Sequence, residues 1–159
     1  MQPVFANDDL LPVSWRSRRG DFVSLMTLYE SNFVRLRRLI PTLRQLHGAH
    51  QSQVQGDCRL SLRVEEHAAY TTTFNLTYLF DTGSGELADP DLQVRVYHDA
   101  CLAEALDCAR QPRHRVLKSL RSNLRGQINE RWQRNILLNK WLDYCVDCGH
   151  VFATAATAT

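Results

Sequence analysis

The densest group of side chains able to perform acid–base chemistry lies around residue 98. His98 is followed directly by Asp99, and Glu104 comes shortly after them. An imidazole next to a carboxylate is the arrangement of a general base with an acid that orients it, so these three residues are the candidate catalytic groups. Three nearby aromatic or basic side chains are the candidates for ligand binding: Tyr70, Arg95 and Tyr97.

The predicted strand geometry argues against catalysis by this group. Adjacent strand residues face opposite sides of a sheet, so the side chains of His98 and Asp99 meet only if a turn or bulge lies between them. His and Asp residues at strand ends commonly form turns or anchor them through hydrogen bonds. We therefore expect His98 to be a structural residue, with one of the two side chains anchored toward the helices and the other exposed.

A second group has the chemistry of a metal site. Cys145, Cys148 and His150 have the two-residue cysteine spacing of a zinc knuckle with a histidine close by. A complete zinc site needs about four ligands, and no second cysteine pair has this spacing. Cys145 also falls on the apolar side of a predicted helix, where a thiol acts as a small hydrophobic group. We therefore expect a protein without bound metal or other cofactor.

A basic segment at residues 110–125 raises a third possibility. It contains six basic side chains and no acidic one, whereas residues 81–107 contain seven acidic side chains and a single arginine, Arg95. Phosphate contacts by 110–125 would make the chain a nucleic-acid binder, but the segment has no Phe, Tyr or Trp to stack on bases. With a net charge of only +2, we expect the two segments to neutralise one another in part.

The sequence lacks the signatures of the common enzyme classes. It has no glycine-rich phosphate loop, no Gly-x-Ser-x-Gly elbow and no histidine pair spaced as in zinc proteases. We interpret the chain as a non-catalytic binding or regulatory protein whose partner is a protein or a small molecule. The alternative is a small-molecule hydrolase or transferase centred on His98, and nucleic-acid binding through 110–125 is a third, disfavoured hypothesis.

The location is predicted to be cytoplasmic, with no membrane partner. No apolar run approaches the roughly 18 residues that a spanning helix needs. Asp8 and Asp9 stand where a secretory signal needs a basic start and an apolar stretch. The five cysteines are an odd number, which favours free thiols in a reducing compartment.

Hydrophobic periodicity predicts the elements of the first half. From Asp21, apolar residues at three- and four-residue spacing predict a helix that ends or kinks at Pro41. Alternating apolar and polar residues then predict two strands, over 58–65 and 70–80, which are close enough to form a hairpin.

The second half continues the sheet and closes with a helix. Residues 81–91 contain two glycines and a proline and predict a loop, and residues 92–98 alternate as a third strand. Residues 101–108 are rich in helix formers but follow strands, so we predict a fourth strand with a short helix as the alternative. A long helix is predicted from near Asn123 to near Gly149, a residue suited to end it.

These elements predict one α+β domain of two layers. An antiparallel sheet of three to four strands packs against an N-terminal and a long C-terminal helix. We place the domain at residues 21–149, after a poorly ordered extension at 1–20 and before a flexible tail at 150–159.

Several segments of the sequence resemble a known family. These are residues 28–41 (LYESNFVRLRRLIP), 94–104 (VRVYHDACLAE) and 135–145 (NILLNKWLDYC) followed by Gly149, together with Tyr-Thr-Thr at 70–72. They resemble the YqiB-like proteins of proteobacteria. That family is uncharacterised, so the resemblance implies membership but no activity, cofactor or catalytic residue.

Overall fold

The computed structural model describes residues 22–108 and 130–153. Helix α1 opens the described chain, a 3₁₀ turn follows it, and helix α2 comes after the sheet. In chain order the elements are α1 (Phe22–Leu39), the 3₁₀ turn (Leu43–Gln45), β1 (Ala49–Ser52), β2 (Arg59–His67), β3 (Thr71–Asp81), β4 (Glu86–Tyr97), β5 (Leu102–Cys108) and α2 (Glu130–Asp147).

The strands form one antiparallel sheet in the order β1-β2-β3-β4-β5. Alternate residues of each central strand are buried against the helices, as the period of two requires. The sheet contributes Leu60, Leu62, Phe74, Leu76, Tyr78, Leu92, Val94 and Val96 to the core, and the helices contribute Leu36, Leu39, Leu137, Leu138, Trp141, Leu142 and Cys145. The predicted α+β architecture, an antiparallel sheet with an N-terminal and a C-terminal helix, is confirmed.

The described sheet has five strands where the sequence predicts three to four. The additional strand is β1, whose sequence Ala-His-Gln-Ser has no apolar alternation and buries only Ser52. Backbone pairing with β2 defines it, from Ala49 opposite Arg63 to Ser52 opposite Leu60. A short polar edge strand of this kind leaves no hydrophobic signal in the sequence.

The loop predicted over 81–91 is longer than the observed turn, which joins the end of β3 to the start of β4. The Thr82 N–H donates to the Gly85 carbonyl oxygen (2.9 Å), and β4 already begins at Glu86. Pro90 lies inside β4 at an irregularity of the ladder with β3. A bulge tolerates proline because the residue there donates no ladder hydrogen bond.

Strand β5 confirms the predicted strand over 101–108. Side chains of the two helices form hydrogen bonds with the backbone groups along its outer edge. The Ala105 N–H donates to Oδ1 of Asn135 (2.8 Å), and Nδ2 of Asn32 donates to the Ala103 carbonyl oxygen (3.3 Å). Nδ2 of Asn139 in turn donates to Oδ1 of Asn32 (3.1 Å). These buried asparagines give the edge the partners that a sixth strand would otherwise provide.

Helix α2 ends in a glycine cap that extends the ordered domain. Gly149 has φ 97°, its N–H donates to the Val146 carbonyl oxygen (3.0 Å), and the His150 N–H donates to that of Cys145 (3.0 Å). This pair of bonds is the Schellman motif, which suits glycine. The predicted flexible tail starts at 150, but His150 and Phe152 are buried, so the packed domain reaches past Gly149.

Several predictions concern residues outside the described ranges. They are the extension at 1–20, the helix start at Asp21, the basic segment at 110–125 and the start of the last helix near Asn123. Within the described ranges, neither helix is long and apolar enough to cross a membrane.

Candidate functional site

The sheet separates the residues that the sequence groups around His98. Val96 is buried under the helices and His98 lies on the same side of β4, because residues two apart share a face. Arg95 and Tyr97 lie on the other face, where Glu104 of β5 pairs with Arg95. The candidate residues Arg95, Tyr97 and Glu104 therefore lie together on one face of the sheet, and His98 lies on the other.

The polar side chains on the outer face, Arg95, Tyr97 and Glu104, have hydrogen-bond partners on neighbouring strands. The Tyr97 hydroxyl donates to Oε1 of Glu104 (2.5 Å), and Nε of Arg95 donates to Oγ1 of Thr73 (3.1 Å). Burial and the Glu104 carboxylate raise the pKa of Tyr97. These contacts hold neighbouring strands together and leave Glu104 with a phenol as its partner.

His98 is anchored at the end of β4. Its backbone N–H donates to the Tyr70 carbonyl oxygen (2.9 Å), and its ring Nε2 lies 2.7 Å from Oγ1 of Thr72. The side chain of Tyr70 itself is 65% exposed. Asp99 is exposed, and no hydrogen bond joins its side chain to His98 among the described residues. His98 thus points inward and Asp99 outward.

A chain of hydrogen bonds continues from His98 to the backbone. Oγ1 of Thr72 lies 3.0 Å from Nδ1 of His67, and Nε2 of His67 lies 2.7 Å from the Leu46 carbonyl oxygen. A carbonyl only accepts, so Nε2 of His67 donates. With His67 neutral, Thr72 donates to its Nδ1 and accepts from Nε2 of His98. We call His98, Thr72, His67 and Leu46 the His98 chain.

The surroundings of His98 favour its neutral form. Burial lowers the pKa of His98 first, and the positive charge of Arg44 lowers it further, while Asp99 opposes them. The neutral ring has Nε2–H as its donor, so Nδ1 carries a lone pair with no hydrogen-bond partner among the described residues.

A cavity of about 370 Å³ opens beside His98. It lies between the end of α1, the 3₁₀ turn and the ends of β4 and β5. Its apolar wall is formed by Phe33, Leu36, Ile40, Pro41, Leu43 and Val96. Its polar lining is formed by Arg37, Thr42, Arg44, Gln45, His98 and Cys101. We call it the His98 cavity.

Two arginines at this cavity have no ionic partner in the described part of the chain. Arg37 stacks over the Phe33 ring at 5.9 Å, and Nη2 of Arg44 makes one long contact of 3.5 Å with the Ala69 carbonyl oxygen. Neither forms an ion pair with a described residue. The cavity therefore combines an apolar wall with two exposed arginines that form no ion pair with a described residue.

Cys101 lines the same cavity in an unusual backbone conformation. Its φ is 55°, in the left-handed region that residues with a Cβ rarely adopt. The residue is exposed, and its Sγ lies 3.7 Å from the His98 carbonyl oxygen. Cys58, Cys101, Cys145 and Cys148 are all free thiols.

Of the candidate metal ligands Cys145, Cys148 and His150, the first and the last have other partners. The Cys145 thiol lies 3.4 Å from the Tyr78 hydroxyl. Both ring nitrogens of His150 are occupied, Nδ1 by Oγ of Ser52 (2.9 Å) and Nε2 by Oδ2 of Asp57 (2.8 Å). Residues 22–108 and 130–153 contain no group of three His, Cys, Asp or Glu side chains placed to hold a metal.

His150 belongs to a second hydrogen-bond network, which the sequence patterns did not predict. The Tyr78 hydroxyl donates to Oδ2 of Asp57 (2.9 Å), which extends the links from Ser52 through His150 to Cys145. Ser52 and Asp57 lie in a polar stretch with no periodicity, far in sequence from His150, so no spacing connects them. We call these five residues the buried network.

The buried network links a serine, a histidine and a carboxylate as in serine hydrolases, but its groups are shielded from solvent. A hydroxyl, an imidazole and a carboxylate in series form the catalytic arrangement of serine hydrolases. Here the His150 side chain is 0% exposed and that of Asp57 is 5% exposed. A polar cavity of about 500 Å³ reaches Asp57, but neither Ser52 nor His150 lines it. A substrate therefore has no described route to the hydroxyl.

The thiols near the buried network are held protonated. Burial is the largest cause that raises the pKa of Cys145, and burial followed by Asp57 raises the pKa of Cys58. Burial likewise raises the pKa of Cys148 and raises the pKa of Tyr144 to about 12. A raised pKa makes a thiol a poor nucleophile and a poor metal ligand at neutral pH.

Comparison with known proteins gives a family without an assigned activity. Residues 35–151 match the family model described as "Protein of unknown function (DUF1249)". The chain is also 31% identical over 129 residues to "Uncharacterized protein YqiB" of Escherichia coli strains K12 and CFT073, covering 81% of this chain and 91% of the relative. No solved structure matches the chain.

Proposed function

Because the chain belongs to the DUF1249 family, whose function is unknown, we propose from its geometry that it is a non-catalytic binding protein for a small anionic amphiphile. The ligand occupies the His98 cavity. The observation that carries the proposal is an apolar wall beside two arginines, Arg37 and Arg44, that have no ionic partner among the described residues.

The apolar wall accounts for the body of the ligand. Ligand sites are commonly concave and mostly apolar, with volumes from about 300 Å³ upward and a few polar groups that fix orientation. The His98 cavity has about 370 Å³, and Phe33, Leu36 and Ile40 are among the residues of its apolar wall. A short alkyl chain or a single ring fits this size and releases water from apolar surface.

The polar lining accounts for the head group. A guanidinium group is a planar fork of donors that matches a carboxylate or a phosphate. Thr42 also lines the cavity, and its Oγ1 is buried without a hydrogen-bond partner in the described residues. An acceptor oxygen of the ligand would pair with the two arginines.

The catalytic alternative has one supporting observation and lacks others. His98 lines the cavity, and its neutral ring carries a lone pair on Nδ1, which suits a base. No carboxylate within the described ranges hydrogen-bonds to His98, and the bond to Thr72 directs its only N–H away from a substrate. Binding by a fixed histidine therefore explains the arrangement better than proton transfer.

Isothermal titration calorimetry at pH 7 with octanoate and octyl phosphate tests the proposal. We expect one molecule per chain, no measurable binding of 1-octanol, and affinity at least about tenfold weaker in an Arg37→Gln, Arg44→Gln double variant, because each charged contact contributes about a kcal/mol or more. The matched control is Arg63→Gln, whose side chain is 65% exposed and does not line the cavity.

Two outcomes would overturn it. One is the absence of binding of both anions at millimolar concentration. The other is equal loss of binding in the double variant and in Arg63→Gln, which would indicate a general charge effect and not a site.

A further inference from the structure

His98 lines the cavity, and its contacts leave one ring nitrogen, Nδ1, without a hydrogen-bond partner among the described residues. The Leu46 carbonyl oxygen accepts from Nε2 of His67, and with His67 neutral the order of donors runs from His98 through Thr72 to His67. In this arrangement Nε2 of His98 is already a donor. Protonation at Nδ1 changes no bond in the chain, because every donor keeps its acceptor.

Resting on the proposed function, we propose that the anion enters the His98 cavity together with one proton, which His98 accepts at Nδ1. The proton comes from solvent, the imidazole becomes an imidazolium, and the Nε2–H donation to Thr72 persists. The ligand would then meet three cations in place of two.

The charged groups that face His98 determine the direction of this coupling. Arg37 comes from α1, Arg44 from the 3₁₀ turn, His67 from β2, and Asp99 from the turn after β4. With the cavity empty, burial and the positive charge of Arg44 lower the pKa of His98. An anion beside the arginines offsets their charge, so the same pKa rises when the ligand binds.

Thermodynamic linkage converts this rise into pH-dependent affinity. A site that gains a proton on binding holds its ligand more tightly as pH falls, by at most about tenfold per pH unit for one proton. The strengthening begins at the pKa of the complex and stops below that of the empty site. Arginine stays charged throughout and contributes no slope.

Calorimetry with octane-1-sulfonate at pH 5.5 and pH 8.0 measures the coupling, because a sulfonate stays ionised across this range. We expect affinity at least about threefold tighter at pH 5.5, and titrations in two buffers of different ionisation enthalpy should report net proton uptake. His98→Gln keeps an N–H donor for Thr72 but cannot titrate, so its affinity should not change with pH. The control His50→Gln removes a histidine that does not line the cavity and should retain the slope.

The possible results separate this inference from the function on which it rests. Equal affinity at both pH values without proton uptake in the unmodified protein, or an unchanged slope in His98→Gln, would overturn the coupling while leaving the binding site intact. The absence of any octane-1-sulfonate binding at either pH would overturn both. The proton count needs no variant, so a count of zero overturns the coupling even if His98→Gln does not fold.

Discussion

The two histidine networks of this protein, the His98 chain and the buried network, each link a histidine to a hydroxyl group. They differ in how far solvent reaches the histidine. β3 supplies a hydroxyl to each, Thr72 to the His98 chain and Tyr78 to the buried network, six positions apart on the same face. His150 has both ring nitrogens bonded and a side chain that is 0% exposed. His98 has one nitrogen bonded and lines a cavity with two arginines. Solvent access, and not the order of the linked groups, therefore distinguishes a candidate site from a structural contact.

The buried network joins parts of the chain that are distant in sequence. His150 follows α2, Ser52 lies in β1, and Asp57 lies in the connection to β2. The glycine cap at the end of α2 brings His150 to these partners. We infer that this network holds the C-terminal end of the domain against the first two strands.

Loss of the buried histidine should have the largest effect. His150→Ala removes the imidazole partner of both the buried Asp57 carboxylate and the Ser52 hydroxyl, and each buried polar group that loses a partner costs about 1–3 kcal/mol. We expect the melting temperature to fall by roughly 10 °C. The control is His50→Ala, which removes a single exposed hydrogen bond and should melt near the unmodified protein. If the two variants melt alike, the buried network does not hold the domain.

Loss of the cavity histidine should cost less stability. His98→Ala removes the bond to Thr72 at a partly exposed position, for which about 1–2 kcal/mol and a few degrees of melting temperature are expected. His98→Gln should recover part of the loss because it retains a donor. Melting of His98→Ala at or above the temperature of the unmodified protein would contradict the structural role, and catalysis at His98 would then need to be tested.

Acidification should reveal the cavity histidine through stability. Its pKa is lowered in the folded protein by burial and Arg44, so the unfolded chain binds the proton more readily. Stability is therefore complete above the ordinary histidine value of about 6.5 and decreases as pH falls through it. Urea unfolding at pH 7.5 and 5.5 should show a larger loss in the unmodified protein than in His98→Gln. A larger loss in His98→Gln would show that the sign is wrong.

The smallest expected effect is a difference in thiol labelling. Cys101 is exposed at the cavity, whereas Cys145 is 0% exposed and its pKa is raised by burial. Iodoacetamide at pH 7.5 with peptide mapping should label Cys101 well before Cys145. Saturating octyl phosphate should slow labelling of Cys101 alone. Equal protection of Cys58 and Cys148 would contradict a ligand confined to the His98 cavity.

The parts of the fold that burial dictates could be predicted from the sequence. Leu60, Phe74 and Val94 lie in runs of strict alternation, so their strands and their shared face were evident before the structure. β1 could not be predicted, because an edge strand of polar residues forms through backbone pairing. The start of β4 was obscured by Pro90, which the bulge accommodates.

The candidate site was only half predictable. Alternation predicted that His98 and Asp99 face opposite sides. Arg95 and Tyr97 were grouped with His98 as candidates for one site, although the structure places them on the other face of the sheet. The cavity depends on how the end of α1 and the 3₁₀ turn approach β4, which no local pattern encodes. The contact of Ser52 with His150 likewise exists only in the folded chain.

Amide chemical-shift mapping with octanoate tests most directly that the His98 cavity, and not the buried network, is the ligand site. We expect saturable shifts concentrated in residues that line the cavity, including Leu36, Thr42, Arg44, His98 and Cys101, with little change at Ser52, Asp57 and His150. The largest shifts at Asp57 and His150, or small shifts spread over the whole surface, would contradict it.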